Sequence, residues 1–108
     1  MIHELRIYHC LPGRLPDVSK RFETITTPLW KRHGIRPVAF WTVVIGPESN
    51  DFYYILAWES LAEREQKWAQ FAVDPEWLSK RAETERNGPL IANITNIMLS
   101  PTAYSELK

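Results

Sequence analysis

Phe52-Tyr53-Tyr54-Ile55-Leu56-Ala57-Trp58 is apolar at both parities, rich in aromatic and β-branched residues, and too short for a helix. It reads as a strand with neither face meant for open water. Upstream, Ile35-Arg36-Pro37-Val38-Ala39-Phe40-Trp41-Thr42-Val43-Val44-Ile45 has the same composition. Pro37, unable to donate to a ladder, places its start on a sheet edge or among a strand's first residues. Gly46-Pro47-Glu48-Ser49-Asn50-Asp51 between the two runs is a loop by composition, so they form an antiparallel hairpin.

Outward from the hairpin, residues 2–9 alternate Leu5 and Ile7 against Glu4, Arg6 and Tyr8, a strand stopped by Leu11-Pro12-Gly13. From Pro16 a helical stripe runs Val18, Phe22, Ile25, Leu29. Lys31, Arg32 and His33 suit the negative end of its dipole, and Gly34 suits the residue after it. Pro28 lacks an N–H and clashes with the Thr24 carbonyl, which predicts a kink there. Ser60 and Glu63 form a capping box for a helix to about Ala72. Asp74 caps and Pro75 opens a second helix to about Arg86, ended by Asn87-Gly88-Pro89. Leu90–Leu99 is the last strand. The order β-α-β-β-α-β is the split βαβ arrangement of ferredoxin-like α+β folds: a four-stranded antiparallel sheet with helices on one face.

The 108 residues make one domain, 1–108, with 13 basic and 13 acidic side chains. Zero formal charge gives no electrostatic case for nucleic acid, and no apolar run spans a membrane. A lone Cys10 and the absence of a signal-like start at Met1 lead to an expected cytoplasmic location. His3 and His9 stand six residues apart on one strand, ~20 Å at ~3.3 Å per residue, too far to share an ion. No metal or other cofactor is expected. With helices on one sheet face, the apolar second face calls for a homodimer through that face.

Candidate cleft residues follow from parity. With Leu5 and Ile7 turned to the helices, Glu4, Arg6 and Tyr8 point to the other face, where Arg6 pairs with Glu4, with Asn93 or Thr95, or with an anionic ligand. Asn93 and Thr95 interrupt an apolar parity of the last strand and join the same group, either binding a ligand or satisfying each other. His33, Trp41 and Trp58 complete the candidates, the two tryptophans serving equally well as core or interface aromatics.

Glu4-Leu5-Arg6-Ile7-Tyr8, Pro12-Gly13-Arg14-Leu15-Pro16, Arg21-Phe22-Glu23, His33-Gly34-Ile35, Phe40-Trp41-Thr42 and Ile45-Gly46 resemble, in order, the NIPSNAP family. The resemblance continues through Trp58-Glu59-Ser60-Leu61-Ala62-Glu63-Arg64, Asp74-Pro75-Glu76-Trp77 and Leu99-Ser100-Pro101-Thr102. It implies a dimeric α+β barrel and no particular reaction. Haem-degrading monooxygenases of the same architecture are similar at Trp58, but they carry a ligating histidine on the next helix, and Leu61–Ala72 has none. The expected function is a small-molecule-binding or structural module taking a small apolar or aromatic ligand. The alternative is a cofactor-independent monooxygenase or isomerase acting on a small aromatic or polyketide-like substrate.

Overall fold

The computed structural model describes Met1–Lys108. Its elements run β1 (Ile2–Cys10), α1 (Leu15–Arg21), a π-helical turn (Phe22–Thr26), α2 (Thr27–His33), β2 (Arg36–Thr42), β3 (Asp51–Trp58), α3 (Leu61–Ala72), α4 (Pro75–Thr84) and β4 (Ile91–Leu99). The strands lie in the order β2-β3-β1-β4, all neighbours antiparallel. The α+β class, the four-stranded sheet and the split βαβ order are as the sequence implies.

The barrel is not. The sheet stays open, because β2 pairs only with β3 and β4 only with β1, while a barrel needs its terminal strands hydrogen-bonded to each other. The second strand is also shorter than its composition implied: Val43 to Ile45 leave the ladder, and Val44 and Ile45 are 94% and 96% exposed. Pro37 does lie on the edge strand, beside a break in register between Pro37 and Ala39.

The helix starts follow their sequence signals. Ser60 Oγ accepts from the Glu63 amide at 3.1 Å, and Asp74 Oδ1 accepts from the Glu76 amide at 2.8 Å. Gly34 takes the left-handed conformation (φ 73°) that closes α2, which residues other than glycine enter at a cost.

The kink at Pro28 takes a definite form. The Thr27 amide reaches back five residues to the Phe22 carbonyl, so one extra residue is wound into the turn. The Thr24 and Thr27 hydroxyls donate to the carbonyls of Lys20 and Glu23 alongside it. The inserted residue shifts the buried stripe: Val18, Phe22 and Leu29 are buried as the spacing predicts, but Thr26 and not Ile25 fills the position between Phe22 and Leu29.

The parity of β1 is the reverse of that read from Leu5 and Ile7. Tyr8, Cys10, Phe52, Tyr54, Leu56 and Trp58 form the core with Val18, Phe22, Trp30 and Phe71, and the register sets Arg6 opposite Tyr54 and Glu4 opposite Leu56. Glu4, Arg6 and Tyr8 therefore lie under the helices, and half-buried Leu5 and Ile7 face outward. The wide aromatic parity of β3 needs the helical cover more than two aliphatic side chains do, and cross-strand pairing carries β1 with it.

Candidate functional site

Glu4 is fully buried at the centre of the sheet, and five donors converge on its carboxylate. Oε1 accepts from Trp58 Nε1 at 3.1 Å and Arg64 Nε at 2.8 Å. Oε2 accepts from Arg6 Nη1 at 3.0 Å, Arg64 Nη2 at 3.0 Å and Asn96 Nδ2 at 2.6 Å. Burial works against the Glu4 charge, but the Arg64 and Arg6 guanidiniums outweigh it and hold the pKa down at about 2. Arg6 also donates through Nε to Tyr54 Oη at 2.6 Å, Tyr54 donates on to Tyr8 Oη at 3.1 Å, and the Arg6 guanidinium lies 4.6 Å from the Trp68 ring centroid. Burial again opposes the charge, and the Tyr54 and Tyr8 oxygens with Glu4 overcome it, raising the Arg6 pKa.

This network walls a cavity of about 230 Å³ between the sheet and the helices. Arg6 and Tyr8 form part of its floor, Arg21, Phe22, Thr26 and Trp30 come from the first helical stretch, and Trp68, Phe71 and Trp77 come from α3 and α4. Its exposed lining residues, Ala72, Arg81 and Ile94, mark the mouth. Arg21 is buried, donates to Thr84 Oγ1 at 3.3 Å, lies 3.7 Å from Glu85 Oε2 and sits over Trp77. Burial pulls its pKa down, with Glu85 opposing. A larger cleft of about 410 Å³ lies between α1 and β2, but its polar residues, Ser19, Glu23 and Thr42, are all exposed.

The structure sorts the sequence candidates into separate places. Glu4, Arg6, Tyr8 and Trp58 belong to one buried network, and of these Arg6 and Tyr8 reach the cavity. Arg6 pairs with Glu4, one of the three alternatives, and not with Asn93 or Thr95. His33 is elsewhere: its Nε2 meets Asp74 Oδ2 at 2.6 Å and fastens the end of α2 to the cap of α4. Trp41, 48% exposed, stands on the edge strand β2. Asn93 and Thr95 lie on the outward face opposite His9 and Ile7, and Thr95 Oγ1 meets His9 Nε2 at 2.8 Å while His9 Nδ1 meets Asp51 Oδ1 at 2.8 Å. The β4 side chain that reaches the network is Asn96, overlooked in the sequence although it is the polar residue between Ile94 and Met98 on that parity. Arg64 and the Arg21, Thr26, Trp30 group were also missed.

No three His, Cys, Asp or Glu side chains gather into a metal-binding group. Burial, then the Asp51 carboxylate, pushes the Cys10 thiol up to about 11, leaving it protonated at neutral pH. No helix is long and apolar enough to cross a membrane.

Residues 3–106 match the NIPSNAP family model. Among solved structures, a NIPSNAP family protein from Agrobacterium tumefaciens is 30% identical with a TM-score of 0.87, the match covering 100% of this chain and 94% of that one. A NIPSNAP domain protein from Burkholderia xenovorans is 21% identical with a TM-score of 0.84, over 97% and 98% of the two chains. A MhuD variant holding two manganese protoporphyrin IX molecules per active site is 14% identical with a TM-score of 0.68, over 97% and 98%, a likeness of fold. No curated protein matches the chain in sequence.

Proposed function

The chain belongs to the NIPSNAP family, and from that premise we propose that it is a small-molecule-binding module that pairs with a second copy through its outward sheet face. One observation carries the binding reading: the helix-covered face, where a purely structural domain would be packed solid, keeps a cavity of about 230 Å³ walled by aromatic rings and buried arginines. Nothing in the geometry favours the oxygenase or isomerase alternative, since the Glu4 carboxylate is engaged by five donors and has no lone pair poised to take a substrate proton. The cavity is also smaller than a tetrapyrrole, and α3 carries no histidine to hold one.

Pairing is supported by the outward face. Leu5, Ile7, Tyr53 and Ile55 are half-buried there, and Ile97 and Leu99 on β4 are 41% and 42% exposed. The single buried cysteine fits a reducing compartment, and we place the protein in the cytoplasm.

Two measurements test the reading. Sedimentation at micromolar concentration gives about twice 12.7 kDa, shifting to one copy for Ile97→Asp; a parent that stays monomeric at every concentration overturns the pairing. Calorimetry with small neutral and anionic aromatic compounds finds at least one that binds, and Ala72→Trp, which plugs the mouth, abolishes that binding. Failure of every compound at millimolar concentration removes the cavity's role.

A further inference from the structure

Resting on that reading, we infer that the cavity takes the carboxylate of a small aromatic acid, held by a line of unpartnered donors that the π-helical turn brings together. Four buried side-chain atoms in the protein have no hydrogen-bond partner: Arg14 Nε, Arg21 Nε, Thr26 Oγ1 and Trp30 Nε1. The last three belong to residues that line this one cavity. These residues are 4%, 3% and 1% exposed, so bulk water does not satisfy them. A buried polar group without a partner is costly, and three around one space call for an explanation.

Their spacing supplies the local cause. In an uninterrupted α-helix, Arg21 would share its line with Ile25 and Leu29. The extra residue in the Phe22–Thr26 turn replaces that line with Arg21, Thr26 and Trp30, spaced five and then four apart. Pro28 is the sequence feature that predicts this departure. A local distortion has thus aligned two N–H donors and a hydroxyl, while Leu29 stays in the core.

Charge decides what the donors await. Arg6 and Arg64 share Glu4, while Arg21 and Arg81 share Glu85. The three guanidiniums that line the cavity, Arg6, Arg21 and Arg81, are answered by two carboxylates, and Glu4 is shared with Arg64, so the charge around the cavity is positive in surplus. Two N–H groups, a hydroxyl and surplus positive charge complement an oxyanion, and a planar carboxylate is the form that Arg side chains fit best. The remaining walls, Phe22, Trp68, Phe71, Trp77 and Ile91, are apolar and suit a ring. At ~30 Å³ per water-sized group, about 230 Å³ admits roughly eight such groups, the scale of one ring with a short acidic arm.

Phenylacetate and its neutral analogue phenylacetamide, titrated into the full-length protein and followed by calorimetry, provide the test. The acid binds at least tenfold more tightly than the amide. Thr26→Val, which keeps shape and removes the hydroxyl, weakens the acid about fivefold and leaves the amide unchanged; Trp30→Phe acts in the same direction. Thr26→Val also raises the melting temperature of the free protein, because an unsatisfied buried hydroxyl is gone, and this separates lost recognition from lost folding. Equal affinity for acid and amide overturns the anion inference while the cavity reading stands. An acid that binds Thr26→Val and Trp30→Phe as it binds the parent overturns the role of the donor line. No binding by either compound overturns the anion inference and the donor line together, and the cavity reading falls only if the wider panel of compounds also fails.

Discussion

Along β1, the two faces of the sheet invert the usual rule. Beneath the helices, β1 presents Glu4, Arg6 and Tyr8, a charged and hydroxylic row at 0%, 6% and 9% exposure. On the face with no helices it presents Leu5 and Ile7, joined by Ile55 on β3 and Ile97 on β4. Aromatic rings surround the inner charges, and polar residues, among them His3 and the His9, Asp51 and Thr95 relay, punctuate the outer aliphatics. Along β1, charge lies under the helices among aromatic rings, and aliphatic side chains lie on the face that the helices leave open.

The sharpest way to break this comparison is at Glu4. In Glu4→Leu, Arg6 stays buried with only tyrosine oxygens as acceptors, and removing one partner of a buried pair costs about 3–5 kcal/mol. Thermal unfolding at fixed protein concentration reads this as a fall of at least 12 °C, at ~4–8 °C per kcal/mol for a domain of this size. A fall under 3 °C means that the network contributes little and the inner face is ordinary core.

Acid makes a similar cut without a mutation. The Glu4 carboxyl sits at about 2 in the folded protein against 4.5 when free, so the unfolded chain takes up the proton first as pH falls. The resulting stabilisation is fully present above about pH 4.5 and is lost as pH drops through about 2. At ~1.36 kcal/mol per pKa unit it amounts to about 3 kcal/mol. Denaturant midpoints from pH 6 to pH 2.5 fall more steeply for the parent than for Glu4→Leu, and parallel curves refute the assignment.

The outer face gives the smallest effect. Thr95→Val removes a hydrogen bond to His9, whose side chain is 33% exposed, and costs about 1 kcal/mol or less. A loss as large as that of Glu4→Leu would show that the outer relay, and not the inner network, is the polar centre of the sheet.

The sequence made the frame legible because its strongest signals are local: Ser60 with Glu63, Asp74 before Pro75, and Gly34 after a cationic turn each act within a few residues. It did not show which way β1 faces. Leu5 and Ile7 alternate as a core pair should, and the competing claim of Tyr8 and Cys10 becomes visible only when β1 is laid beside the aromatic row of β3. The same gap hid Asn96, whose importance depends on its register opposite Arg6. Pro28 announced a disturbance, but whether the chain breaks, bends or takes in an extra residue depends on how the helix packs. The donor line around the cavity follows from that outcome and from no shorter pattern. The barrel came with the family resemblance, and the unpaired edges of β2 and β4 exclude it from the chain itself.

The position of β1 in the sheet also sets a timetable. It leaves the ribosome before the other three strands of the sheet, yet its two neighbours are β3 and β4, with Ile2 beside Trp58 and His3 beside Leu99. Asn96, which completes the shell around Glu4, is synthesised 92 residues after it, several seconds later at ~5–20 residues per second. Until then the Glu4 carboxylate lacks one of its hydrogen-bond donors, β1 keeps a bare strand edge, and the cavity lacks the wall that Ile91 and Ile94 provide. The cavity is thus walled on that side only once β4 has been made, and a product truncated before β4 has no finished cavity.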